Sequence, residues 1–156
     1  MAYATEPSWL LVASSHFFLI PTMGYYLTGE YVCCGLVTGI YLVSAAYHGT
    51  KPRYPLLLPL DVMFAHVGNL CALYTTSQYL PYSLLPYSSF LGSALLIYYY
   101  GKSTRTLAWD PDMKVSNWWH AFMHGMLGLS SGVSIYLAGK AARNANTPCV
   151  NIIENT

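Results

Sequence analysis

The apolar positions of this chain fall into five long runs, separated by short stretches where glycine, proline and charge collect. A membrane-crossing helix takes about 20 apolar residues, and the runs predict spans at 9–27, 31–47, 60–79, 83–100 and 117–138. Pro21 predicts a kink in the first span, and Thr28-Gly29-Glu30 a tight turn after it. Lys51, Arg53 and the prolines Pro52, Pro55 and Pro59 mark the loop before the third. Pro81 and Pro86 mark the opening of the fourth, and a polar loop, 102–116, precedes the fifth. Residues 140–156 read as a polar tail and an exposed end. The pattern predicts an all-α, multipass transmembrane helical bundle of about five spans, a single membrane-embedded domain over 1–156.

Composition agrees. The 156 residues are 54% hydrophobic and 8% charged, where a soluble domain carries about 25% charge. Fifteen tyrosines and four tryptophans suit the lipid–water boundary, and Trp109, Trp118 and Trp119 read as interfacial anchors. A net charge of +1 gives no footing for nucleic acid. Cys33 and Cys34 are adjacent in one apolar run, Cys71 lies in another and Cys149 in the tail, so they read as buried or lipid-facing thiols. The N-terminus lacks a basic n-region, and neither a removable signal peptide nor a transit peptide is predicted.

Five spans place the termini on opposite sides of the membrane. One side then holds Lys51, Arg53, Lys102, Arg105 and Lys114, against Lys140 and Arg143 on the other. By the positive-inside rule the first side is cytoplasmic, or the matrix or stroma of an organelle, and the N-terminus shares it. His48 ends the second span on that side, Asp61 begins the third, and His120 and His124 begin the fifth. Topology alone therefore brings four ionisable groups to one depth.

Helical spacing gives the faces. Tyr41, Ser44 and His48 share one, and Asn117, His120, His124 and Ser131 form a stripe. Asp61, Ala65, Gly68, Ala72 and Thr75 line up as small residues beneath a carboxylate, which predicts close helix packing in preference to an acyl groove. The pairs Gly35/Gly39 and Gly128/Gly132 read the same way, with the first pair nearly opposite His48.

Ionisable groups at membrane depth are costly, so they point to a site. Three histidines with an open fourth position are the ligand set of a catalytic zinc centre, whose bound water has its pKa lowered to about 7. An aspartate beside it can take the water's proton or support a ligand. Ser44, one turn before His48, can stabilise a developing oxyanion or complete a hydrogen-bond network. Each residue also has a plainer reading. The histidines can be satisfied by carbonyls or hydroxyls between helices, and His48 by a helix C-terminus. Asp61 suits the first turn of a helix opened by Pro59, and Ser44 can bond its own backbone. His16 and His66 lie off the pattern and read as structural, and Asp110 and Asp112 as solvated charges.

Ser44-Ala-Ala-Tyr-His48, Leu60-Asp61 opening the next helix, and His120-Ala-Phe-Met-His124 opening the last together resemble the CREST superfamily. That group includes the alkaline ceramidases, the progestin and adipoQ receptors and the Per1-type lipid-remodelling proteins. Its signature is Ser-x3-His on the second helix, Asp on the third and His-x3-His on the last. The resemblance implies zinc held by His48, His120 and His124, with Asp61 and Ser44 beside it. It also implies hydrolysis of a membrane-lipid amide or ester, as in a ceramidase. The superfamily core has seven helices against the five predicted here, and the two missing spans fall between Asp61 and His120. Two other readings therefore stand. One is a non-catalytic small accessory subunit of a larger membrane complex that retains the histidine–metal site. The other is bis-histidine haem, with His48 facing His120 or His124.

Overall fold

Ser8 opens the first helix: its hydroxyl accepts from the Leu11 N–H at 3.4 Å, and its own N–H donates to the His48 carbonyl at 3.0 Å. The start of the first helix is thereby fixed to the end of the helix that carries His48. The structure, a computed structural model, describes residues 7–50, 56–79 and 84–146. Helix α1 (Trp9–Ser15) passes through a 3-10 turn (His16–Phe18) into α2 (Leu19–Thr28). Then come α3 (Tyr31–Thr50), α4 (Leu57–Tyr79) and α5 (Leu84–Leu95). A π-helical turn (Leu96–Tyr100), α6 (Gly101–Thr104), a 3-10 turn (Leu107–Trp109) and α7 (Met113–Asn146) complete the order. No strand occurs among the described residues. Lys51, Pro52, Arg53, Pro55, Pro81 and Cys149 lie outside them.

The fold is an all-α membrane bundle. Among the described residues, four stretches are long and apolar enough to cross a bilayer: Trp9–Thr28, Tyr31–Thr50, Leu57–Gln78 and Met113–Asn144. Burial is inverted relative to a soluble protein. Leu42, Leu70 and Val133 are exposed, while Ser15, Ser44, His48 and His124 are buried. Cys33, Cys34 and Cys71 are free thiols. The fourth predicted span, 83–100, differs in form, because the 12-residue α5 runs on through the π turn to Thr104.

Glycines set which helices touch. Pro21 cannot donate to the Phe17 carbonyl four residues back, and the helix tightens to 3-10 geometry just there. Gly128 of α7 lies against that carbonyl, and a Cβ at 128 would come within 2.5 Å of it. Gly132 meets Ile20 and Pro21 in the same way, so α2 and α7 are joined along the Gly128/Gly132 face. Gly39 packs on Phe64 and Gly68 on Ile40, which seats α4 on α3. The small-residue stripe of α4 is therefore close packing at Gly68 and Ala72, although Ala65 and Asp61 line a cavity. Gly35 has open space around it. A test follows. Gly128→Ala should cost roughly 1–3 kcal/mol, because a backbone oxygen must move. Gly35→Ala should be neutral or mildly stabilising, since alanine is the better helix former. Unfolding in mixed micelles measures both, and equal effects at the two positions would remove Gly128 as the contact that sets helix spacing.

Several boundaries differ from the sequence expectation, α3 running on to Thr50 and α7 starting at Met113 among them. Helix α7 extends past 138 to Asn146, because Ala138 is fully buried, Gly139 packs on Thr28, and Arg143 Nη1 donates to the Leu27 carbonyl at 3.1 Å. Polar residues mark the end of an apolar run without ending a helix, and Lys, Ala and Arg are all good helix formers. Helix α4 starts at Leu57, so Pro59 is its third residue, where a missing N–H costs nothing, and Asp61 its fifth.

Candidate metal centre

His48 lies in the last turn of α3 and is fully buried; His120 and His124 are one turn apart on α7. Helix α7 presents both to α3, and the three imidazoles close into a triangle. Their ring centroids are separated by 4.9 Å (His48–His120), 5.4 Å (His48–His124) and 4.9 Å (His120–His124). One nitrogen from each ring lies within 4.8 Å of the others. Tetrahedral zinc with Zn–N bonds of about 2.0–2.1 Å sets its nitrogens about 3.4 Å apart, so small rotations of the side chains close the set. The donor chemistry fits zinc. His48 meets His120 at 4.9 Å and His124 at 5.4 Å between ring centroids, closer than two imidazoles on opposite faces of a haem stand.

Helix α1 contributes two residues that the sequence reading passed over. The Ser14 hydroxyl lies 3.0 Å from His124 Nδ1 and 3.0 Å from the Leu11 carbonyl. A carbonyl can only accept, so Ser14 donates its single proton there and accepts from Nδ1–H of His124. In that tautomer Nε2 of His124 is the unprotonated nitrogen. Ser15, fully buried, donates within reach of Ser44 Oγ at 3.2 Å and of the Leu11 carbonyl at 2.8 Å. The adjacent pair Ser14-Ser15 in the first apolar run, about as deep from its end as Ser44 is from the end of α3, was the available signal.

On the reading that the triangle holds a metal, Ser14→Ala should weaken zinc affinity by about 10- to 100-fold, the usual cost of losing a hydrogen bond that orients a metal-binding histidine. Competition with a chromophoric chelator measures this, and unchanged affinity would make Ser14 a packing residue.

Asp61 is buried and lines a cavity of about 630 Å³ together with His120 and His124. It lies beyond the first turn of α4, so interaction with the helix dipole does not account for its position. Ser44, one turn before His48, is fully buried and accepts from Ser15 Oγ at 3.2 Å, within the hydrogen-bond network that was one of its two expected roles. His16 Nδ1 contacts the Val12 and Ala13 carbonyls, and its Nε2 meets Tyr41 Oη at 3.3 Å. His66 contacts the Val62 carbonyl at 2.7 Å and Tyr99 Oη at 3.0 Å, linking α4 to the π turn.

The loop acids have local partners. Asp112 caps α7, its carboxylate accepting from the Lys114 N–H at 2.8 Å, and Asp110 accepts from the Asp112 N–H at 2.8 Å. Trp118 is exposed, as an interfacial anchor should be, whereas Trp109 is packed edge-on against Tyr98 at 5.4 Å and lines the cavity. No protein-family model, curated protein or solved structure matches the chain.

Proposed function

We propose that this protein is an integral membrane hydrolase of a lipid amide or ester, similar to the CREST enzymes, with zinc held by His48, His120 and His124. One observation carries the reading: histidines from α3 and α7 converge within 4.8 Å, and His120 and His124 line a cavity that Asp61 lines as well. When bound, zinc supplies a Lewis acid and a water ionisable near neutral pH.

The chain's own groups do the rest. Asp61 accepts the proton of the attacking water and returns it to the leaving amine or alcohol. Ser14 holds His124 in one tautomer and orientation. Ala65, Leu73 and Leu91 form an apolar wall against which an acyl chain can lie, keeping bulk water from the carbonyl. The site end of the bundle faces the cytoplasm or an organelle matrix on this reading.

Metal content per chain, followed by release of free fatty acid from a panel of lipid amides and esters, tests the proposal. Zinc with turnover supports it. Zinc without turnover on any of them would favour the accessory-subunit reading, in which the histidines and their metal staple α3 to α7.

A further inference from the structure

The cavity has two different ends. Leu70 of α4 and Leu95 of α5 line it and are nevertheless 64% and 38% exposed. The cavity therefore opens sideways between α4 and α5, on the surface that faces lipid. At its polar end the wall is made by Lys102, Arg105, Trp109 and Asp110.

Backbone geometry brings these cations to the cavity. Arg105 has φ 58° and Leu107 φ 56°, both in the left-handed region that non-glycine residues rarely adopt. The turn is secured by the Thr106 N–H donating to the Gly101 carbonyl at 3.1 Å. Only glycine fits at 101, since a Cβ there would come within 2.6 Å of the Thr106 carbonyl oxygen. Lys102 Nζ is held 5.5 Å from the centroid of the Trp109 ring. The one acid at this rim, Asp110, is engaged with the Asp112 N–H. Two cations thus stand at the head of an apolar, laterally open cavity, with Asp61 and two of the three histidines in its wall.

We propose that the occupant is a membrane lipid carrying an anionic group, phosphate or carboxylate, at its polar end. It enters between α4 and α5 and places that group on Lys102 and Arg105. The inference rests on the hydrolase reading for what happens next, but not for binding. Two cations against the one acid, Asp110, leave this rim with an excess positive charge that a neutral lipid would not balance. Each cation near a membrane surface favours an anion by about 1 kcal/mol, roughly fivefold in affinity.

The test uses the full chain in neutral micelles, with Trp9→Phe, Trp118→Phe and Trp119→Phe leaving Trp109 as the single emitter. Phosphatidylglycerol and phosphatidylcholine with brominated acyl chains are the probes, and quenching of Trp109 reports occupancy. We expect phosphatidylglycerol to quench at a concentration about tenfold or more below that of phosphatidylcholine. Lys102→Gln/Arg105→Gln should abolish the preference, while Lys114→Gln, at the same end but outside the cavity wall, should leave it intact. Equal quenching by both lipids, or a preference that survives the double substitution or is lost with Lys114→Gln, overturns the proposal. Because the readout needs neither zinc nor turnover, its failure in a zinc-loaded, active protein removes only the headgroup assignment. Absence of zinc with the preference intact removes only the hydrolase.

Discussion

Alanine at both His120 and His124 should empty the metal site: about one zinc per chain in the intact protein, none in the double variant, and no lipid hydrolysis above background. The expectation follows from the ligand count. Removing both leaves His48 as the one imidazole of the triangle, and a single neutral ligand does not hold zinc against water. Because His124 is buried and in contact with Phe18, its truncation also opens a cavity, at a typical cost of a few kcal/mol. A parallel pair, His120→Gln and His124→Gln, separates the two effects by keeping a polar side chain of similar size. Elemental analysis and far-UV circular dichroism on all the variants read metal and helix content independently. Zinc that persists in the double variants, or is absent from the intact protein, would sink the metal centre. The three imidazoles would then be packing groups.

Asp61→Asn should keep the metal and lose the reaction, with hydrolysis lowered by about 10²- to 10⁴-fold, the usual contribution of a positioned general base. The substitution is nearly isosteric and preserves hydrogen bonding, so helix content and zinc content should match the parent. That split distinguishes a catalytic carboxylate from one that merely supports a ligand, whose loss would lower zinc affinity as well. It also distinguishes it from an acid placed for the helix dipole, whose replacement by Asn would change neither. Release of fatty acid under single-turnover conditions, at matched zinc occupancy, is the deciding measurement. Undiminished turnover would require a different base.

Why Asp61 and the histidines could be found in the sequence while Ser14 and Ser15 were passed over has a physical answer. Hydropathy fixes how deep a residue lies along the membrane normal, since a span has a known length and alternate loops share a side. His48, Asp61, His120 and His124 all lie within about one to two turns of loops on one side, so their common depth was legible from order alone. Ser14 and Ser15 meet the same criterion, and the reading missed them because serine in a membrane helix so often bonds its own backbone. Their bonds to His124 and Ser44 depend on α1 lying against both α3 and α7.

The sequence by itself determined the long apolar helices of an all-α membrane bundle. Only the tertiary structure decided that His48, His120 and His124 face each other, that Ser44 meets Ser15, that Trp109 turns inward and that α4 begins before Pro59. Depth is a property of one segment and its solvent. Facing is a property of pairs of helices, set here by where Gly39, Gly68, Gly128 and Gly132 let two backbones approach, and no periodicity within one helix reveals which neighbour it will meet.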